Sequence, residues 1–159
     1  MSPRTSAGSG SWPPRPVLIV DTDVAIRESV CRMVRGLGYR VRTARSGADA
    51  VRAVRQGGTE LGVVLARARM SPMDGGEVAE RIRDAHADVR VALLAGPGPD
   101  DDELLAAYPE LPVLRQPVRL GELYALLAAL LGPPVVARGR PEGPARWLRR
   151  PRDRSERPD

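Results

Sequence analysis

Two acidic residues, Asp21 and Asp23, directly follow a short apolar run at residues 17–20 that is typical of a buried strand. Paired carboxylates at a strand end are suited to binding Mg²⁺ or Ca²⁺, because these ions prefer oxygen ligands. A second apolar run, residues 61–66, is followed by Arg67 and not by an acid. An arginine between two carboxylates makes a poor metal site, so the residues favour an ion pair over a metal centre.

The elements that must position these residues follow from two alternating hydrophobic periodicities. Short apolar runs typical of strands alternate with segments whose apolar residues recur at helical spacing. Asp23, Ser46 and Asp74 stand where helix N-caps are expected, and Gly38 stands where the first helix should end. Strands are predicted at residues 17–20, 40–44, 61–66, 89–94 and 113–114, with a short helix within 101–108 and a last helix at 120–131.

Five strand–helix units in succession predict an α/β fold: a doubly wound, five-stranded parallel sheet in the (βα)5 flavodoxin-like architecture. In such sheets the functional site lies beyond the carboxyl ends of the strands. These ends are expected at residues 21–23, 67–69, 95–96 and 116–117.

The composition divides the 159 residues into one domain and two tails. Residues 1–15 are rich in Ser, Gly and Pro, and residues 133–159 are rich in Arg and Pro, so both are predicted to be disordered, leaving 16–132 as the folded domain. Cys31 is the only cysteine, which excludes an internal disulfide. No apolar run approaches the roughly 20 residues of a membrane span, and the N-terminus lacks the apolar centre of a signal peptide, so a cytoplasmic location is expected.

Five segments of residues 16–131 resemble, in order and spacing, the receiver domain of bacterial two-component response regulators, the CheY-like domain. They read LIVDTDVAIRE, LGYRVRTARSGADAV, ARARMSPMDGGEVAERIR, DVRVALLAG and LRQPVRLGELYALLAALL. The resemblance implies phosphorylation of an aspartate that ends the third strand, with Mg²⁺ held by an acidic pair after the first. It also implies a lysine before a proline on the fifth strand, a Thr or Ser ending the fourth, and an aromatic residue on the fifth.

The chain departs from that pattern at the positions that carry the phosphate chemistry. Arg67 stands at the acceptor position, and Thr22 replaces one member of the acidic pair. Ala95 replaces the hydroxyl residue, Val113 the aromatic residue and Gln116 the lysine. The acidic remnant is Asp21 and Asp23. The resemblance therefore indicates a degenerate receiver, or pseudo-receiver, that uses no cofactor and no metal.

Two placements of Arg67 follow from this reading. In the favoured one the guanidinium faces Asp21 and Asp23 as a built-in cation, and replacing Arg67 with alanine destabilises the fold. In the other it turns to solvent and forms an exposed ion pair, with Arg69 as a second cation nearby.

The last helix carries a single charge, Glu122, and is apolar on most of its surface. A helix that is apolar all round is usually covered, so we expect a homodimer or a protein partner at the last helix and fifth strand. The alternative is that the C-terminal tail covers it. The predicted interface residues are Leu104, Leu105, Tyr108, Tyr124, Ala128 and Leu131.

Three functions from different classes remain. The first is a stand-alone, non-enzymatic receiver in phosphorelay signal transduction that acts by phosphorylation-independent protein–protein interaction. The second is a regulator that binds nucleic acid weakly through tail arginines, namely Arg138, Arg140, Arg149 and Arg150. The third is a phosphoaccepting regulator that uses a non-standard residue. None involves a membrane.

Overall fold

The computed structural model describes residues 14–57 and 60–134, which form five strands and five helices in strict alternation. The strands are β1 (Val17–Val20), β2 (Val41–Ala44), β3 (Val63–Arg67), β4 (Arg90–Ala95) and β5 (Val113–Arg115). The helices are α1 (Val24–Gly36), α2 (Gly47–Gly57), α3 (Gly75–Ala85), α4 (Pro99–Ala107) and α5 (Leu120–Leu131).

All strands of the sheet are parallel, in the order β2-β1-β3-β4-β5. The prediction of a doubly wound, five-stranded parallel sheet is confirmed. The order reverses between β1 and β3, which places the switch point where Asp21 follows β1 and Arg67 ends β3.

The sheet separates two hydrophobic clusters. Leu18 and Val20 of β1 point to the side of α2 and α3, whereas Val17 and Ile19 point to the side of α1 and α5. All four side chains are fully or almost fully buried, as expected for a strand covered on both faces. Burial of each side chain of this size stabilises the fold by about 1.5–3 kcal/mol.

The predicted helix caps are present. Asp23 accepts hydrogen bonds from the N–H groups of Ala25 and Ile26, and Asp74 accepts one from Glu77. The Ser46 hydroxyl accepts one from the N–H of Asp49. Each bond pairs a backbone donor that the first helical turn leaves free.

The element bounds differ slightly from the prediction. β3 ends one residue later, at Arg67, because the ladder to β4 continues there: Arg67 lies opposite Leu94, and the N–H of Ala68 donates to the Leu94 carbonyl at 2.8 Å. α4 starts earlier than predicted, with Pro99 in its first turn. Pro14, predicted to lie in the N-terminal tail, is buried, and its carbonyl accepts a hydrogen bond from Arg40 at 3.0 Å.

Tyr39, which lies just before β2, bonds to the end of α5 on the same face of the sheet. Its hydroxyl donates to the carbonyl of Gly132 at 2.8 Å, and its side chain is buried. Burial raises the pKa of Tyr39 to about 12, with a smaller contribution from the Tyr124 phenol nearby.

Stability should therefore fall as the pH rises from about 10 towards 12. A phenol whose pKa is higher in the folded than in the unfolded chain favours folding below the unfolded pKa of about 10, and this contribution is lost as the pH approaches the folded pKa. In urea titrations at a series of alkaline pH values, Tyr39→Phe should be less stable than wild type by about 1 kcal/mol at pH 8. The difference should shrink above pH 10; a constant difference would contradict the assignment.

Candidate functional site

Four of the predicted site residues meet at the carboxyl edge of the sheet. The parallel register sets Val20 opposite Ala66, and Asp21 and Arg67 are the next residues of those strands. On the other side, Ala95 ends β4 and accepts a hydrogen bond from the N–H of Gln116 at 2.8 Å. The sheet thus brings the acceptor position, the acidic remnant, the hydroxyl position and the lysine position to one edge.

Arg67 and Asp21 form the central contact of this edge. Arg67 Nη1 lies 3.5 Å from Asp21 Oδ2, and the Asp21 side chain is completely buried while that of Arg67 is 29% exposed. Both atoms are buried, and neither has a hydrogen-bond partner among the described residues. The geometry is that of an ion pair and not of a well-formed hydrogen bond. The predicted internal pairing is confirmed.

The prediction that Arg67 also faces Asp23 is wrong. Asp23 is exposed, and one of its oxygens already accepts two backbone hydrogen bonds as the N-cap of α1. Its own N–H donates to Asp21 Oδ1 at 2.8 Å. The two acids therefore have different roles: the buried Asp21 pairs with Arg67, and the exposed Asp23 caps α1.

A second arginine, which the sequence did not single out, holds the same strand end. Arg27 Nη1 donates to the Asp21 carbonyl at 2.7 Å from the first turn of α1. Its position four residues after the N-cap was the available signal, because that spacing returns a side chain to the start of the helix.

Arg69, predicted as an alternative cation, points elsewhere. It pairs with Asp100 of α4 at 2.6 Å, and both side chains are largely exposed. It therefore does not compete with Arg67 for Asp21.

The remaining departures from the receiver pattern occupy different environments. Ala95 is fully buried, Gln116 is half-buried and Thr22 is exposed. Val113 lies at the start of β5, opposite Leu93, and packs against the cluster beneath α3. Val113 therefore lies two residues before the carboxyl edge of the sheet, and its side chain has no polar group that could contact a ligand there.

The first turn of α4 carries three consecutive aspartates, each bonded to a different element. Asp100 pairs with Arg69 of the β3–α3 loop, Asp101 accepts from the N–H of Gly96 at 2.5 Å, and Asp102 pairs with Arg115 of β5 at 2.6 Å. The signal in the sequence is the acidic run itself, because acids are favoured in the first turn of a helix. Together these contacts fasten the start of α4 to the site edge.

The described residues do not fit Mg²⁺ at this edge. Asp21 is the single buried carboxylate, its Oδ2 faces a guanidinium, and no group of three or more potential metal ligands occurs among residues 14–57 and 60–134. A hard divalent cation needs several oxygen ligands and would be repelled by Arg67.

The predicted interface residues do not form one outward apolar face. On α5 the exposed positions are Gly121, Glu122, Ala125 and Ala129, because the helix is rotated relative to the prediction. The predicted residues are half-buried: Leu131 packs over Gly62, Tyr108 covers Gly76 of α3, and the others are Leu104, Leu105, Tyr124 and Ala128. Leu104 and Leu105 pack on one face of the sheet, and Tyr124 and Leu131 on the other.

The four tail arginines, Arg138, Arg140, Arg149 and Arg150, lie outside the described residues. In the described part of the chain, no helix has the length and apolar character needed to cross a membrane.

This architecture is that of solved receiver domains. The chain is similar to a response regulator receiver domain protein from Clostridium thermocellum, with a TM-score of 0.62 and 24% identity over 69% of this chain and 87% of that one. It is similar to chemotaxis protein CheY4 of Vibrio cholerae, with a TM-score of 0.61 and 23% identity over 74% of this chain and 98% of that one. These likenesses define the fold class, a receiver-type (βα)5 domain.

The family follows from the sequence. Residues 17–109 match the response regulator receiver domain, so the chain belongs to this family of two-component signalling domains. It is also 30% identical over 80 residues to "Sensor kinase CckA" of Brucella abortus (strain 2308), a match that covers 50% of this chain. The match spans only 8% of that kinase.

Proposed function

We propose that this receiver domain transmits its signal by binding a protein partner and does not accept a phosphoryl group. The observation that carries the proposal is the ion pair between Arg67 and the fully buried Asp21. It puts a permanent positive charge at the end of β3, where the family pattern has the nucleophilic carboxylate.

The chemistry of phosphoryl transfer supports the proposal. The reaction needs a nucleophile and a cation that neutralises charge on the phosphoryl oxygens. A guanidinium is not a nucleophile, and Gln116 and Ala95 supply neither the ammonium group nor the hydroxyl of the family pattern. Asp21 is the remaining buried carboxylate, but its two oxygens face Arg67 and the Asp23 N–H. This also argues against the alternative in which a non-standard residue accepts phosphate.

The contacts of α4 support a signal that does not depend on a phosphate-driven movement. Three neighbouring aspartates hold its first turn to the β3–α3 loop, the end of β4 and β5. Each exposed ion pair contributes little, about 0–1 kcal/mol, but the three contacts restrain the same turn in different directions. These contacts hold α4 in one position relative to the sheet, so a partner can bind its surface without a preceding conformational change.

The proposal predicts no phosphoryl adduct. Incubation of the full chain with acetyl phosphate and Mg²⁺, followed by intact-mass measurement, should show the unmodified mass, and titration calorimetry should show no Mg²⁺ binding at millimolar concentration. A stable, Mg²⁺-dependent gain of one phosphoryl group would contradict the proposal. The chain incubated with Mg²⁺ alone serves as the reference for the mass.

A further inference from the structure

The charge of the domain is unevenly distributed over its surface. The described residues contain sixteen arginines and sixteen acidic residues, so the domain as a whole is neutral. Two neighbouring clefts on the β2–α2 side nevertheless have five arginines in their walls and two acids, Asp49 and Glu60. The arginines of these clefts are Arg42, Arg45, Arg52, Arg55 and Arg81.

The larger cleft runs between strand β2 and helix α2. Its volume is about 580 Å³, and Thr43 and Arg45 line it from the strand side while Arg52 and Gln56 line it from the helix side. A second cleft of about 360 Å³ shares Arg52 and Gln56 with the first, lies between α2 and α3, and contains no acidic residue. We call these two clefts together the β2 groove.

The strand that borders the β2 groove has an open edge. β2 is the last strand on its side of the sheet, and its bonds to β1 include the N–H of Val17 to the carbonyl of Arg40 and the N–H of Asp21 to the carbonyl of Ala44. Along a parallel strand, alternate residues bond to opposite sides. The N–H and C=O groups of Thr43 therefore point away from β1.

We propose that the β2 groove binds an acidic, extended segment of a partner protein, which adds to the sheet beside β2. An extended backbone satisfies the outward N–H and C=O groups of the edge strand, and carboxylates along the segment complement the arginines. Nucleic acid would complement the charge, but its sugar–phosphate backbone has no regular row of N–H donors that could continue the ladder of an edge strand. The positive charge favours an acidic ligand and the open strand edge favours an extended peptide backbone, so an acidic peptide fits both features.

The two acids of the β2 groove form only weak ion pairs with its arginines, so they do not prevent an acidic ligand from binding. Arg52 pairs with Asp49 at 3.4 Å and Arg42 with Glu60 at 3.8 Å, and all four side chains are substantially exposed. Exposed pairs of this kind are worth about 1 kcal/mol or less, so a carboxylate ligand can displace them. Arg45 and Arg55 form no ion pair with the described residues and keep their full charge for it.

This inference rests on the proposed function only in requiring a protein partner. The two can fail separately, since the mass measurement examines the carboxyl ends of the central strands and peptide binding examines the lateral edge strand β2.

Binding is tested on the full chain with a fluorescein-labelled eight-residue peptide in which glutamate alternates with valine and threonine. Fluorescence anisotropy at low salt should show saturable binding, and Arg45→Glu with Arg52→Glu should weaken it at least about tenfold, since two attractive contacts become repulsive. The matched control, Arg32→Glu with Arg35→Glu, makes the same charge change on exposed positions of α1 and should leave the affinity within about twofold. Equal weakening in both double variants would overturn the proposal.

Strand addition has its own readout. Amide exchange measured by NMR should show that the peptide slows exchange of the Thr43 N–H. Thr43→Pro removes that donor without touching the β1 ladder and should weaken binding several-fold, with folding checked by circular dichroism. Unchanged exchange at Thr43, or tighter binding of an equally charged oligothymidine in competition, would overturn the proposal. Failure of Thr43→Pro to fold would leave the exchange and charge-reversal results to decide.

Discussion

Replacement of Arg67 with alanine is expected to lower the free energy of unfolding by roughly 1 to 3 kcal/mol. The substitution removes the cation that faces the buried Asp21 carboxylate, and no other described side chain takes its place. The loss should be smaller than for a completely enclosed pair, because Arg67 is 29% exposed and water can enter the space it leaves. Urea denaturation followed by circular dichroism measures the difference.

A matched control lies two residues along the chain. Arg69→Ala breaks the exposed pair with Asp100 and should cost less than about 1 kcal/mol. Asp21→Asn combined with Arg67→Ala should recover much of the lost stability, because the buried charge is then gone while Oδ1 can still accept the Asp23 N–H. Equal costs for Arg67→Ala and Arg69→Ala would mean that the internal ion pair has no special energetic role.

Rebuilding the family pattern is expected to create phosphorylation where the wild-type chain shows none. The variant combines Arg67→Asp, Thr22→Asp, Ala95→Ser and Gln116→Lys. It restores the nucleophile, the acidic pair for Mg²⁺, the hydroxyl and the ammonium group. Arg67, Ala95 and Gln116 already lie at the carboxyl edge of the sheet, and Thr22 directly follows Asp21 there. Serine is chosen at the fully buried Ala95 because it adds a single heavy atom. Intact mass after acetyl phosphate and Mg²⁺ should show one added phosphoryl group.

The controls separate the contributions of the four positions. Arg67→Asp alone should remain unmodified, because no cationic or hydroxyl group then contacts the phosphoryl oxygens, and chelation of Mg²⁺ should abolish the adduct in the rebuilt variant. A full adduct in Arg67→Asp alone would show that the other three departures do not limit the chemistry.

Much of the fold could be predicted from the sequence because its determinants are local. Each determinant involves residues that are close in the sequence. Examples are the buried run of β1, the helix caps Asp23 and Asp74, and Gly38, whose φ of 97° ends α1. The strands follow one another in a βα pattern, and the right-handed crossover rule then leaves few topologies. The same reasoning placed Arg67 at the end of β3.

The side-chain partners of the site could not be predicted in the same way. Asp21 and Asp23 are two residues apart and chemically alike, yet only Asp21 meets Arg67, because the start of α1 supplies two backbone donors to Asp23 at a short chain distance. Arg67 and Arg69 are equally similar, but the position of α4 gives Arg69 an aspartate of its own. The rotation of α5, which half-buries Tyr124 and Leu131, likewise depends on how the helix packs against the sheet.

The order of the elements and the parallel sheet could be read from the chain, since they are encoded by residue type and local spacing. The resemblance to receiver domains then identified Arg67 as the residue that replaces the acceptor acid. The tertiary structure alone decided which carboxylate that arginine meets, how α4 is fastened and which helix surfaces face water. These depend on distances between residues far apart in the chain, where several partners of equal chemistry compete and packing selects one.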